Sequence, residues 1–218
     1  MKALLIKDLR LMKNMKNFFV LMVGLIVAFS VFYVDISFVL MYMVVFVSTM
    51  SVSSISYDTY ENGEAFLFTL PVSRKGYVKE KYVFSILLML GAMIVFIAFS
   101  YVLGAVKQTG VPGDFKVSVF ITFLVAVFFV SYMMPIQLKF GGEKRNGVIL
   151  LTIGGIMFAA FAAAALVSSG AIENIVSAVK NFIEHSWGAA VCLSLLAAVI
   201  CMAASYRISV RIMEKKEF

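Results

Sequence analysis

The stretch FFVLMVGLIVAFSVFYVDISFVLMYMVVFVSTMSVSSISY, from Phe18 to Tyr57, runs for forty residues with one charge, Asp35, near its middle. At 1.5 Å of rise per residue a helix of that length spans roughly 60 Å, about twice the ~30 Å hydrocarbon core of a bilayer. Backbone groups left unpaired in lipid are costly. The run is therefore expected to cross as two helices that close their own hydrogen bonds, with the turn over Tyr33 to Ser37.

Outward from this hairpin the pattern repeats. Uncharged stretches from Tyr82 to Val106, Val117 to Leu138, Gly147 to Ile172 and Ser186 to Tyr206 are each long enough to span, which makes six crossings. The chain has 62% hydrophobic and 14% charged residues, and its charges gather between the runs instead of alternating along helical faces, which excludes a soluble core. The fold class expected is an all-α polytopic membrane protein. Phe18 to Val34 follows a Lys-rich segment, as the apolar part of a signal peptide does. It is longer than such a segment usually is, no small-x-small site follows it, and the chain re-enters lipid after Asp35, so it is expected to be a retained span.

Orientation follows from Lys and Arg. The N-terminal segment carries Lys2, Lys7, Arg10, Lys13 and Lys16, and the second connection carries Arg74, Lys75, Lys79 and Lys81. The fourth connection has Lys139, Lys144 and Arg145, and the last segment Arg207, Arg211, Lys215 and Lys216. Only Lys107, Lys116 and Lys180 fall on the opposite side. Both termini are thus expected in the cytoplasm. The same bias accounts for the net charge of +7 through attraction to anionic lipid, without a nucleic-acid partner.

Several functions lack their residues. Apart from Asp35 at its turn, no apolar run contains an Asp, Glu, Lys, Arg or His, whereas proton- or ion-driven carriers bury such groups as relays. His185 is the only histidine and has no Cys or second His nearby to complete a metal site. No GxxxxGK[ST] loop is present, so energy from ATP has to arrive through a partner. Cys192 and Cys201 lie nine residues apart on one helix, about 13.5 Å in rise, too far to bond to each other. They read as small apolar filling.

Two segments outside the spans are more telling. On a helical wheel Leu4, Leu5, Leu9, Leu11, Met12, Met15, Phe18 and Phe19 occupy one half of an N-terminal helix, opposite Lys7, Arg10, Lys13, Asn14 and Asn17. This reads as an interfacial helix, either a plain surface anchor or a lever beside a moving cytoplasmic subunit. Lys16 can snorkel out of the apolar half, but Asp8 cannot and calls for a partner. In the second connection, Asp58 and Glu61 have the spacing of a capping box, so a short helix starting there would carry Phe66, Leu67 and Leu70 as far as Pro71. Ser73 is placed to cap the helix that continues through Tyr77 into the third span. Apolar groups rimmed by acids suggest docking, against the plainer reading of a helix lying in the headgroups.

An acidic, Gly-containing helix followed by Leu70-Pro-Val-Ser-Arg74 and then Tyr77-Val-Lys-Glu-Lys81-Tyr82 resembles the connection after the second span in ABC-2 type permeases. The resemblance extends to the N-terminal segment with Lys7-Asp8-Leu9 and to the six-span plan, so it covers the whole chain, 1–218, as one permease domain. It implies a cytoplasmic coupling helix within Asp58 to Leu70 that seats in a cleft of a separate ATP-binding subunit. The residues so assigned are Asp58, Glu61, Asn62, Gly63, Glu64, Phe66, Leu67 and Leu70. It further implies two such subunits carrying ATP and Mg, no cofactor on this chain, and a second permease copy or paralogue. The setting implied is the cytoplasmic membrane of a prokaryote.

Between the fifth and sixth spans, apolar residues at 172, 175, 176, 179, 182 and 183 face Glu173, Asn174, Lys180, Asn181 and Glu184 across an amphipathic outer helix. It is either a surface helix or, as the resemblance suggests, a lid at the cargo exit. Thr49, Ser53 and Ser56 share a face of the second span, and the fifth carries Gly154, Gly155 and Ala162 to Ala165. Such residues either permit close packing or, for the hydroxyls, line a translocation path. A substrate-binding subunit of a vitamin importer and a non-transporting structural or immunity protein share the six-span outline. The reading favoured is the permease of an ATP-driven exporter of an amphipathic or hydrophobic cargo such as a peptide, toxin or drug.

The charge count alone makes a topological prediction. Cysteines placed at Ser73 and Lys144 should react with a membrane-impermeant thiol reagent only from the cytoplasmic side, and cysteines at Gly110 and Asn181 only from outside. One reversed site would require the spans to be redrawn.

Overall fold

The computed structural model describes residues 2–14, 24, 36–59, 63–69, 72–106, 115–140 and 187–216. All regular structure among them is helical. The order is α1 (Lys2–Asn14), α2 (Ile36–Thr59), α3 (Gly63–Thr69), α4 (Arg74–Val106), α5 (Phe115–Phe140) and α6 (Trp187–Lys215). The expected first span, fifth span and outer amphipathic helix lie outside the described residues, apart from Gly24.

Three of these helices, α4, α5 and α6, are long and apolar enough to cross a membrane. Their surfaces agree with that. Ile94 and Val95 on α4 and Leu193 and Val199 on α6 are all more than three-fifths exposed. Contiguous apolar surface of this kind is at home against lipid and would be an aggregation hazard in water. The chain is a membrane-embedded protein.

The helices pack with α2 against α4 and α5, and with α6 against α5 and α4, while α1 lies on α4 and α3 on α2. Two apolar clusters fill the space. One, around Val44, Met89, Met93, Phe115, Ala126, Val127 and Ala198, joins α2, α4, α5 and α6. The other collects Leu4, Val52, Ile55, Leu67, Tyr77, Val78, Met134, Leu138 and Met213, and so draws on all six helices. This second cluster sits at the basic end of the bundle, where α1, α3 and the start of α4 converge.

Polar groups inside the bundle are satisfied locally or across helices. In α2 the hydroxyls of Ser48, Thr49, Ser51 and Ser53 donate to carbonyls three or four residues back, at 2.6 to 2.9 Å, which hides them in an apolar setting. Pro135 inside α5 has no N–H to give the carbonyl of Ser131. That carbonyl instead accepts the Ser205 hydroxyl of α6 at 2.5 Å. With its proton so committed, Ser205 accepts from the Tyr82 hydroxyl of α4 at 2.6 Å, and Tyr82 in turn accepts from Ser209 at 2.9 Å. A helix defect thus becomes a hydrogen-bonded tie among α4, α5 and α6.

Ser205→Ala should therefore cost about 1–2 kcal/mol of stability in detergent. In a Pro135→Ala background, where an N–H is restored to the Ser131 carbonyl, the same change should cost clearly less. Equal costs in the two backgrounds would show that Pro135 does not create the need for the tie.

Candidate functional site

At the basic end α3 projects from the bundle between α2 and α4. Only glycine fits its first position: a Cβ on Gly63 would stand 2.9 Å from the Asp58 carbonyl oxygen, so the chain turns from α2 into α3 at close quarters. Downstream, Ser73 caps α4 as its position suggested. Its hydroxyl accepts the Gly76 N–H at 3.1 Å and its carbonyl accepts the Tyr77 N–H at 2.9 Å.

The two faces of α3 differ sharply. Phe66 is 70% exposed, while Leu67 is buried in the basic-end core and Glu64 is buried beside it. Phe68 is half-buried and meets the Tyr77 ring edge-on at 5.7 Å. Glu64 Oε2 accepts from Lys216 Nζ at 2.7 Å. Of the residues assigned to docking, Phe66 is thus presented outward and Glu64 and Leu67 are turned into the chain. Glu61, Asn62 and Leu70 lie outside the described residues.

Asp58 has a different place from the one its spacing suggested. It stands in the last turn of α2 and does not cap α3, which starts only at Gly63. Lys81 Nζ lies 2.7 Å from Asp58 Oδ2, the Tyr77 hydroxyl donates to the same oxygen at 3.0 Å, and Lys7 pairs with Oδ1. Lys81 also lies 2.5 Å from Asp8 Oδ2 and donates to the Ser54 hydroxyl at 3.0 Å, so its three protons have three acceptors. Lys7 approaches Asp8 Oδ1 at 3.3 Å. Asp8 and Lys81 are completely buried. Two cations and two anions from α1, α2 and α4 therefore compensate one another. The partner that Asp8 required is Lys81.

Lys7 and Asp58 are both held toward their charged forms. Burial opposes the Lys7 charge, but the hydrogen bond and charge of Asp58, joined by Asp8, outweigh it and hold the ammonium above its ordinary value. Burial likewise opposes the Asp58 carboxylate. The charge of Lys81 and the hydrogen bonds from Lys7 and Lys81 prevail and keep it below the usual carboxylate range. Next to Lys81, Glu80 is fully buried, and neither of its oxygens meets a hydrogen-bond donor among the described residues.

The hydroxyl face of α2 is divided in its roles. Thr49 and Ser53 are half-buried and bond their own helix. Ser56 is buried and accepts from the Gln137 amide of α5, a bond between helices that gives it a packing role. Ser54, which the sequence did not single out, is the hydroxyl that meets the ion cluster.

A sequence profile of the family described as ABC-2 family transporter protein matches residues 3–214. No curated protein and no solved structure matches the chain.

Removing the central cation should be severe. Lys81→Met leaves two buried carboxylates to one lysine and is expected to cost about 3–5 kcal/mol, most of it recovered when Asp8→Asn and Asp58→Asn are added. Glu80→Gln, which breaks no pair, should stay within about 1 kcal/mol of the unmodified protein. The pH dependence has a definite sign. The depressed Asp58 contributes stability above the unfolded carboxylate value near 3.8 that is lost as pH falls through its folded value. The raised Lys7 contributes stability below 10.5 that is lost as pH climbs through its folded value. These two groups make unfolding midpoints in detergent fall below the lower limit and above the upper one. A Lys81→Met protein as stable as the unmodified one would remove the cluster from its structural role.

Proposed function

Since the chain belongs to the ABC-2 transporter family and is a membrane permease of an ABC transporter, we propose that it is the six-span subunit of an ATP-driven exporter. It works with a second permease copy or paralogue and two ATP-binding subunits that carry ATP and Mg. In this reading α2, α4, α5 and α6 are the second, third, fourth and sixth spans, and both termini face the cytoplasm of a prokaryote. Residues 18–34 and 147–172 supply the remaining crossings.

The observation that carries the coupling role is the two-faced α3. A seven-residue helix stands at the basic end with a large aromatic side chain turned outward and its opposite face tied into the core. Phe66 is the anchor that enters a cleft of the ATP-binding subunit, in the manner of the buried aromatic groups that dominate protein interfaces. Closure of the ATP-binding subunits displaces α3 and alternates the exposure of a path between the two permeases. Thr49 and Ser53 are the hydroxyls offered to that path. The apolar character of the spans suits an amphipathic or hydrophobic cargo.

Phe66→Asp places an unpaired charge in the cleft, a change that typically costs ~2–5 kcal/mol when desolvated at an interface. Co-purification with the ATP-binding subunit should fall by tens of times or more at normal membrane insertion, and undiminished co-purification would refute the docking role. In proteoliposomes, transport should require ATP and persist when the proton gradient is collapsed; arrest by an uncoupler at constant ATP would refute ATP drive.

A further inference from the structure

The buried face of α3 is held by the last helix of the chain as well as by its neighbours in sequence. Lys216, one residue beyond α6, donates to Glu64 Oε2 at 2.7 Å and to the Leu138 carbonyl of α5 at 3.3 Å. From the other side Arg74, the first residue of α4, donates to the carbonyls of Met213 and Glu214 at 3.1 and 2.7 Å. These belong to the last turn of α6, where helical carbonyls have no donor of their own helix. The Met213 side chain is fully buried in the same core cluster as Leu67 and Tyr77. One helix end is therefore gripped by α3, α4 and α5 together.

These contacts are not equivalent to surface decoration. Glu64 is 6% exposed and Lys216 23% in their side chains, whereas the nearby pair Lys75–Glu214, at 3.2 Å, is 69% and 45% exposed. The inner pair is shielded from solvent and salt, and the outer pair is of the kind that contributes little. The sheltered pair, together with the Leu67 and Met213 side chains beneath it, ties α3 to α6 across about 150 residues of sequence.

We propose that the end of α6 is a latch on the docking helix, so that a displacement of α3 is delivered directly to the last helix as well as through the chain to α2 and α4. Glu64 and Lys216 are the positioning residues of this latch, and Arg74 holds the α6 end in reach. The proposal rests on the docking reading for the source of the displacement. The latch itself is independent of any partner.

Two measurements separate these parts. In a Cys192→Ser, Cys201→Ser background carrying Leu67→Cys, Lys216→Ala should raise the rate of alkylation at position 67 by about fivefold or more, while Lys216→Arg and Lys75→Ala should leave it unchanged. An unchanged rate in Lys216→Ala would overturn the latch, whatever the partner does. In the reconstituted complex with the ATP-binding subunit, Lys216→Ala should keep co-purification within about twofold but lower the cargo moved per ATP by about fivefold. The exchange Glu64→Lys, Lys216→Glu should restore at least half of it. Undiminished transport per ATP in Lys216→Ala, or an exchange no better than either single change, would overturn the delivery of motion to α6. Failure of the unmodified chain to co-purify with an ATP-binding subunit would instead count against the docking reading and leave the alkylation result to decide the latch.

Discussion

Lys81 is a positive charge with no access to solvent, and the arrangement at the basic end follows from that constraint. Taking an ammonium out of water costs several kcal/mol even after relaxation, and attraction repays this only with close, well-directed partners. Asp8 from α1, Asp58 from α2 and Ser54 from α2 are those partners. Because an ion pair weakens as its members separate, the three helices have little freedom to slide past one another at this end. Gly63, at the start of α3, packs against the backbone carbonyl of Asp58, a residue that Lys81 holds, so the cluster helps set the position of α3.

Deeper in the bundle a different economy applies. Between lipid-exposed helices apolar burial gives little net drive, and association depends on close packing and on hydrogen bonds across helices. The carbonyl freed by Pro135 is a polar group that the bundle has to satisfy, and the hydroxyls of Ser205, Tyr82 and Ser209 do so from two other helices. Gln137 and Ser56 form a second such tie between α5 and α2. Both ties lie in the part of α5 nearest the basic end, whereas Val44, Met89 and Phe115 farther along meet by packing alone. Among the described residues, these polar ties between helices thus gather toward one end of the bundle.

Hydropathy made the helical class, the membrane setting and the break before α4 legible, since long uncharged runs and the Ser73 cap are local signals. Asp8 was also legible as a problem, being a carboxylate on the apolar half of a helix. Its solution was not, because Lys81 lies 73 residues away and counts, in sequence, as one more basic residue beside a span. Asp58 misled for the same reason: the spacing to Glu61 describes a cap, but Asp58 lies within α2, whose helix runs to Thr59, and its carboxylate is held by Lys81, Lys7 and Tyr77. The hydroxyl stripe was legible only as a stripe. Sequence periodicity grouped Ser56 with Thr49 and Ser53, whereas only the neighbouring α5 reveals that Ser56 is occupied by Gln137. The two faces of α3 follow from tertiary contacts with α2, Tyr77 and Lys216, which no local pattern of seven residues contains.

A helix of seven residues is too short to be stable alone, and its stiffness has to come from what it rests on. That requirement explains why so many unlike contacts converge beneath α3: the Gly63 turn against Asp58, Leu67 and Phe68 against the Tyr77 region, and Glu64 against Lys216. In the proposed docking, burying Phe66 in a partner would be worth roughly 1.5–3 kcal/mol. If the inner contacts were weaker than this, a pull on the aromatic would peel α3 from the bundle before moving the spans. A sheltered ion pair, a buried leucine and a close-packed glycine act together on the inner side. On the proposed docking role, force applied at Phe66 would pass through these contacts to the helices below.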